Sequence, residues 1–179
     1  MRLKNYLIQE LSMKKGTQIE YTKKTPDAFY ASIYLDIEQG TYKESFDIYA
    51  ASDWYSKFHL AQKLRIPEER IVNELKGKAV YGIYIWNIDF VDKEGNIAIT
   101  PKGKGIAIQL FAAIETFMKE FAKRYDPQGI EFSGYAREQS RIKLYHHLAK
   151  KIEKAGYRYY PIGDYYILIK KEYILKHAI

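Results

Sequence analysis

Residues Thr100–Phe111 read TPKGKGIAIQLF, and the fold turns on what this stretch is. Gly103 and Gly105 bracket Lys104, Lys102 stands just before them, and apolar residues at helical spacing follow at once. The amides of a helix's first turn have no partner inside the helix. They carry about half a positive charge from the aligned peptide dipoles, so such an end attracts anions. Glycine lets the main chain approach a phosphate with no Cβ in the way. The stretch is either a phosphate cradle or a turn that needs glycine, and its neighbours have to decide.

Downstream, Ala107, Leu110, Phe111, Ile114, Phe117, Phe121 and Tyr125 recur at threes and fours. That spacing predicts a helix from about Ile106 to Tyr125 laid on a sheet. Pro127 and Gly129 end it, and Ile130–Ala136 reads as a strand. A second helix is expected from about Glu138 to Ala155, burying Ile142, Tyr145, Leu148, Ala149 and Ile152, with Gly156 as a left-handed cap. Strands near Tyr157–Tyr160 and Tyr165–Lys170 follow. Upstream, Ala79–Val91 reads as a long strand, Asp92–Asn96 as a hairpin turn, and Ile97–Thr100 as a short strand entering the loop.

Nearer the N-terminus, three strands are expected, Gln18–Lys23, Ala28–Ile37 and Tyr42–Tyr49. Ser52–Lys76 has helical patterning, with Ser52 or Asp53 as a first cap, Pro67 opening a second helix and Gly77 ending it. Leu3, Tyr6, Leu7 and Leu11 suit one more helix. A strand, crossover helix and strand in one sheet run parallel, whereas the other strands read as antiparallel hairpins. The expected fold is one α/β (α+β) domain over residues 1–179. Its sheet is mixed and mostly antiparallel, with a parallel strand–helix–strand core, packed helices and a helical hairpin inserted near residues 52–77.

The chain has 179 residues and is 47% hydrophobic, enough for a proper core and too apolar for disorder. It has no cysteine, which removes disulfides, thiol nucleophiles and thiolate metal sites and fits a reducing compartment. No apolar run approaches the roughly 18 residues of a membrane span, so a cytoplasmic protein away from the membrane is expected. The net charge of +7 favours an anionic ligand or partner. Its 18 tyrosines suit half-buried strands, or a surface on which bases stack.

Taken together, Gly103-Lys104-Gly105, then Leu144-Tyr145, then Gly156-Tyr157 resemble the GNAT superfamily of N-acetyltransferases over about residues 80–170. In that superfamily a strand leads into a glycine-containing pyrophosphate loop and a helix. A second strand then leads to a helix with a Leu-Tyr pair that ends before Gly-Phe or Gly-Tyr. The set Glu138, Ser140, Arg141, Lys143, Leu144 and Tyr145 is similar to GNAT-like proteins carried by bacteriophages, which would place the protein in a host cytoplasm. The resemblance implies acetyl-CoA or another acyl-CoA as co-substrate and an amine as acceptor. It assigns the pyrophosphate to Gly103, Lys104, Gly105 and Ile106, the pantetheine arm to the Ile97–Ile99 backbone, and a further cofactor contact to Ser140. Tyr145 would protonate the leaving thiolate, a role a phenol can fill. For a general base, Asp89, Asp92 and Glu131 are available, as is a water chain, and Asp89 is taken with Tyr145 as the catalytic set.

Two features of the loop favour a different class of protein. The superfamily's Gln or Arg position is Thr100, and Pro101 has no amide to offer. The rival is a catalytically inactive GNAT-like binding protein whose partner is nucleic acid or a host protein. Lys143, His147, Lys150, Lys151 and Lys154 share one helical face that suits phosphates, or simply solvent. His59–Gly77 has apolar positions near those of a helix-turn-helix. However, Arg65 replaces the turn glycine and Glu68 and Glu69 open the second helix, so a helical hairpin against the sheet is expected. Neighbouring His146 and His147 point to different faces of a helix, and no metal site is expected.

Overall fold

A computed structural model describes residues 17–35, 44–92, 104–133, 139–162 and 165–175, with the side chains of 104–107, 133, 139–141, 144 and 161 excepted. The predicted N-terminal helix, the strand Ile97–Thr100 and the residues Ile97, Ile99 and Gly103 lie outside the described residues. Seven strands form one sheet: β1 (Thr17–Thr25), β2 (Ala28–Leu35), β3 (Glu44–Ser56), β4 (Gly82–Asp92), β5 (Gly129–Ser133), β6 (Tyr157–Ile162) and β7 (Tyr165–Lys170). Four helices accompany them: α1 (Lys57–Leu64), α2 (Glu68–Glu74), α3 (Lys104–Arg124) and α4 (Gln139–Lys154). The strand order is β1-β2-β3-β4-β5-β7-β6. Every neighbouring pair is antiparallel except β4 and β5. The fold is therefore mixed α/β with a mostly antiparallel sheet and one parallel strand–helix–strand unit, β4-α3-β5.

Strand alternation sorts the side chains onto two faces. On β2, Phe29, Ala31, Ile33 and Leu35 are buried while Tyr30, Ser32 and Tyr34 are half-buried on the other side. The inward set joins Phe46, Ile48, Trp86, Ile88 and Phe90 of β3 and β4 under α3 and α4. Helix α3 supplies Leu110, Ile114, Phe117 and Phe121, and α4 supplies Tyr145, Leu148 and Ile152. A second, smaller core lies on the opposite face, where Leu60, Leu64 and Ile71 of the helical hairpin meet Ile83, Ile85, Ile167 and Ile169.

Three boundaries differ from expectation for a tertiary reason. Strand β3 continues to Ser56, and the first helix is capped by Ser56, whose Oγ accepts from the His59 amide, not by Ser52 or Asp53. Residues Ser52–Ser56 stay extended because each pairs with β4, from Ser52↔Trp86 to Ser56↔Gly82. Helix α2 ends at Glu74, before Gly77, because Leu75 forms a bridge to Ile174. Strand β4 starts at Gly82, since Gly77–Val80 form a 3₁₀ turn. Arg65 makes the turn between α1 and α2 with φ +52°, the left-handed conformation a helix-turn-helix gives to glycine. Gly156, with φ +104°, follows α4 as anticipated.

The two outer strands each carry an irregularity. The β1–β2 register shifts between Tyr21 and Lys23, and β6 contains Pro161.

Gly82 has φ +151°, and a Cβ there would lie 2.5 Å from the Tyr55 carbonyl oxygen and 2.6 Å from the Trp54 ring. Gly77, at φ +61°, has nothing within 4 Å of the same position. Gly82→Ala is expected to destabilise the fold by about 1–3 kcal/mol through backbone strain and steric conflict, with a change in Trp fluorescence. Gly77→Ala should cost about 1 kcal/mol, the usual penalty for Ala at positive φ. Urea unfolding of both variants reads the difference.

Candidate functional site

The centre of the sheet is where two parallel strands part. β4 and β5 are paired from Ile85↔Gly129 to Ile88↔Phe132, and there the pairing ends. β4 continues beside β3 as far as Asp92. In open α/β sheets, ligands settle in the crevice at the carboxyl ends of parallel strands, where neighbouring connections diverge. Asp89 is the first residue of β4 past the last pair.

Tyr145 occupies that position from the helix side. Its ring stacks on Phe132 of β5, with centroids 5.3 Å apart, and meets Phe90 of β4 edge-on at 5.6 Å. Its hydroxyl donates to Asp89 Oδ1 at 3.1 Å. Strand alternation sends Asp89 to the face opposite Phe90, and the phenol from the α4 layer reaches it just past the last β4–β5 pair of the described residues. Asp89 also receives the Phe90 amide on Oδ1 at 2.8 Å. Both residues are almost fully buried, Tyr145 1% and Asp89 5% exposed, so their hydrogen bond is made at low local dielectric.

The other predicted positions fall on the two long helices. Lys104, Gly105 and Ile106 form the first turn of α3, which begins two residues earlier than its periodicity suggested. Ser140 lies in the first turn of α4. On the lysine-rich face of α4, Lys143, Lys150 and Lys154 are exposed. Lys151 is instead paired with the buried Glu115 of α3, which His147 Nε2 approaches at 3.6 Å. That part of the basic stripe joins two helices. Among the described residues no group of three His, Asp or Glu could hold a metal ion, and no helix is long and apolar enough to cross a membrane.

A second polar cluster lies on the α1 face, one step back along the same strands. Glu131 of β5 stands opposite Asn87 of β4 in the register and is 1% exposed. Lys63 of α1 places Nζ 2.6 Å from Glu131 Oε1. The Tyr55 hydroxyl lies 3.3 Å from Glu131 Oε2 and 3.4 Å from Asn87 Oδ1. Burial alone would lower the pKa of Lys63, and the hydrogen bond and charge of Glu131 more than offset it, so the net shift is upward. Tyr55 is pushed up by burial first and by Glu131 second. Glu131 was visible in the sequence as a carboxylate between Ile130 and Phe132. Its partners are hidden because Tyr55 falls in the Ser52–Lys76 stretch that reads as helical, and the approach of Lys63 comes only with tertiary packing. The clue was a charged residue in a central strand, which is ordinarily buried on both faces.

The same face carries an open groove of about 380 Å³ farther out on the sheet, lined by Thr22, Tyr30, Ser32, Asp47, Tyr49 and Val91 among others. Ser32 Oγ donates to Asp47 Oδ1 there at 2.7 Å.

Comparison of the chain with protein-family models, with curated proteins and with solved structures gives no match.

The raised pKa of Lys63 fixes the sign of a pH effect. An unfolded lysine titrates near 10.4, so the ion pair's contribution is complete below about pH 10 and is lost as pH rises through the higher folded value. Lys63→Met should be less stable than wild type at pH 7–9 by about 1–3 kcal/mol, the cost of leaving a buried group unanswered. The two proteins should converge as the pH rises through the raised folded value of Lys63. Urea unfolding across that range measures it, and a constant gap would mean that the lysine stem, not its charge, carries the effect.

Proposed function

We propose that the protein is an acyl-CoA-dependent N-acyltransferase, with acetyl-CoA as the simplest donor and a direct transfer to an amine. The observation that carries this reading is the Tyr145–Asp89 hydrogen bond at the point where β4 and β5 part. The resemblance of the Gly103-Lys104-Gly105, Leu144-Tyr145 and Gly156-Tyr157 stretches to the GNAT superfamily supports it, as does the mostly antiparallel sheet with its single parallel β4-α3-β5 unit.

The chain's residues divide the work in a way that balances. The first-turn amides of α3 at Lys104, Gly105 and Ile106 face an anion favourably and would hold the pyrophosphate of the donor. A thioester arm would have to reach Tyr145 past the Ile88↔Phe132 pair, where Tyr145 and Asp89 are almost fully shielded from water. As the amine nitrogen bonds to the acyl carbon and the carbon–sulfur bond breaks, Tyr145 gives its hydroxyl proton to sulfur. Asp89 takes the proton that the amine sheds and returns it to the phenolate. A phenol titrates near 10 and a thiol near 8.5, so the transfer to sulfur crosses only a small mismatch. Most of the acceleration comes from holding thioester and amine together.

Calorimetric titration with acetyl-CoA is the direct test. Wild type should bind, and Gly105→Glu, which adds a negative charge in the first turn of α3, should not. At about a hundred times its dissociation constant the donor should stabilise the fold by roughly 2.7 kcal/mol. Once an acceptor is in hand, Tyr145→Phe should lower kcat by about 10²–10⁴-fold with little change in KM. A folded wild type that ignores acetyl-CoA but binds nucleic acid in a salt-sensitive way through Lys143, Lys150 and Lys154 would move the protein to the non-catalytic class.

A further inference from the structure

The acyl-transfer chemistry makes no use of the cluster around Lys63. Its ammonium touches Glu131 and lies over two aromatic faces, 4.5 Å from the centroid of Tyr165 and 5.7 Å from that of Tyr55. A carboxylate flanked by tyrosine faces is the lining that recognises an organic ammonium. Neutralising Glu131 needs only the carboxylate contact, and two rings against the same nitrogen go beyond it.

Burial is unequal across the pair. The Glu131 side chain is 2% exposed and that of Lys63 31%, so the lysine stands between the carboxylate and solvent. The Tyr55 hydroxyl has one hydrogen and faces two acceptors, so the cluster accommodates a further N–H donor. Because its pKa is raised, Lys63 remains a held cation and makes a poor nucleophile, which argues against its being the acylated group. The location is equally particular. Asn87 pairs with Glu131 and precedes Asp89 by two residues, about 7 Å along the strand.

We propose that Glu131, Tyr55 and Tyr165 form a binding site for a primary ammonium group, with Lys63 as its displaceable occupant. Under the acyltransferase reading, on which this further step rests, the acceptor is an amine that carries a second, cationic nitrogen. One nitrogen sits in the cage while the other reaches the Asp89–Tyr145 gap. The cage itself stands without that reading.

The probe is 1,4-diaminobutane, with butane-1,4-diol as the neutral control, followed by NMR of the Tyr55 and Tyr165 ring resonances in the wild-type protein. The diamine should move both sets of resonances and the diol neither. Lys63→Ala should bind the diamine at least about tenfold more tightly, an expected tenfold corresponding to about 1.4 kcal/mol, and Glu131→Gln should lose it. If Lys63→Ala does not fold, Lys63→Met carries the same expectation, and the wild-type titration decides alone if neither folds. Unmoved tyrosines, equal binding by Glu131→Gln, or no gain on removing Lys63 would overturn the proposal. Acetyl-CoA calorimetry separates the two ideas. Diamine binding without acetyl-CoA binding retires the acyltransferase and keeps the cage, and the reverse retires the cage alone.

Discussion

The parallel contact between β4 and β5 governs the architecture. It is short, from Ile85↔Gly129 to Ile88↔Phe132, and it obliges the chain to cross from one end of the sheet to the other through α3. That crossover presses Leu110, Ile114, Phe117 and Phe121 onto the β2–β4 half of the sheet. The return through α4 seats Tyr145 across the end of the pair. Were the pairing two residues longer, Asp89 would be drawn into a ladder beside β5. The place of Asp89 and Tyr145 at the middle of the sheet is thus set by where one ladder stops.

Among the described residues, three carboxylates are buried, Asp89, Glu115 and Glu131, and each is answered by a different donor. Asp89 takes a phenol and a main-chain amide, Glu131 a lysine and a phenol, and Glu115 a lysine from the neighbouring helix. An isolated buried charge is costly, so these partners are conditions of the fold rather than additions to it. Lysines hold Glu131 and Glu115 as ion pairs, whereas the phenol and the main-chain amide on Asp89 are neutral donors.

The long amphipathic helices and the left-handed Gly156 were legible because a 3.6-residue period over 16 to 21 residues has few rivals. A parallel unit was legible from strand, helix and strand in succession, although the strand that pairs with β5 is Gly82–Asp92, and the short strand expected at Ile97–Thr100 lies outside the described residues. The junction at Ser52–Ser56 was not legible. Serine and aspartate before apolar residues suit a helix cap, and only the pairing of Trp54 and Tyr55 with Tyr84 and Ile83 makes that stretch extended. The Tyr145–Asp89 contact was half legible. Each residue was singled out, but nothing in the spacing of 56 residues says that a phenol will pass between strands to reach that carboxylate. The Lys63–Glu131 contact required the correct end of β3, and so it was lost with that boundary.

The irregular outer strands have a bearing on how copies of this protein meet. A flat, regular edge offers a row of amides and carbonyls to any passing strand, and sheets left in that state join end to end into fibres. Here the register shift of β1 twists one border beside Lys23 and Lys24, and Pro161 removes an amide from the other. Among the described residues the sheet ends at β1 and β6, and both borders are poor templates for a further strand. In a chain with 18 tyrosines, that places the guard against strand addition at the borders of the sheet and not on its faces.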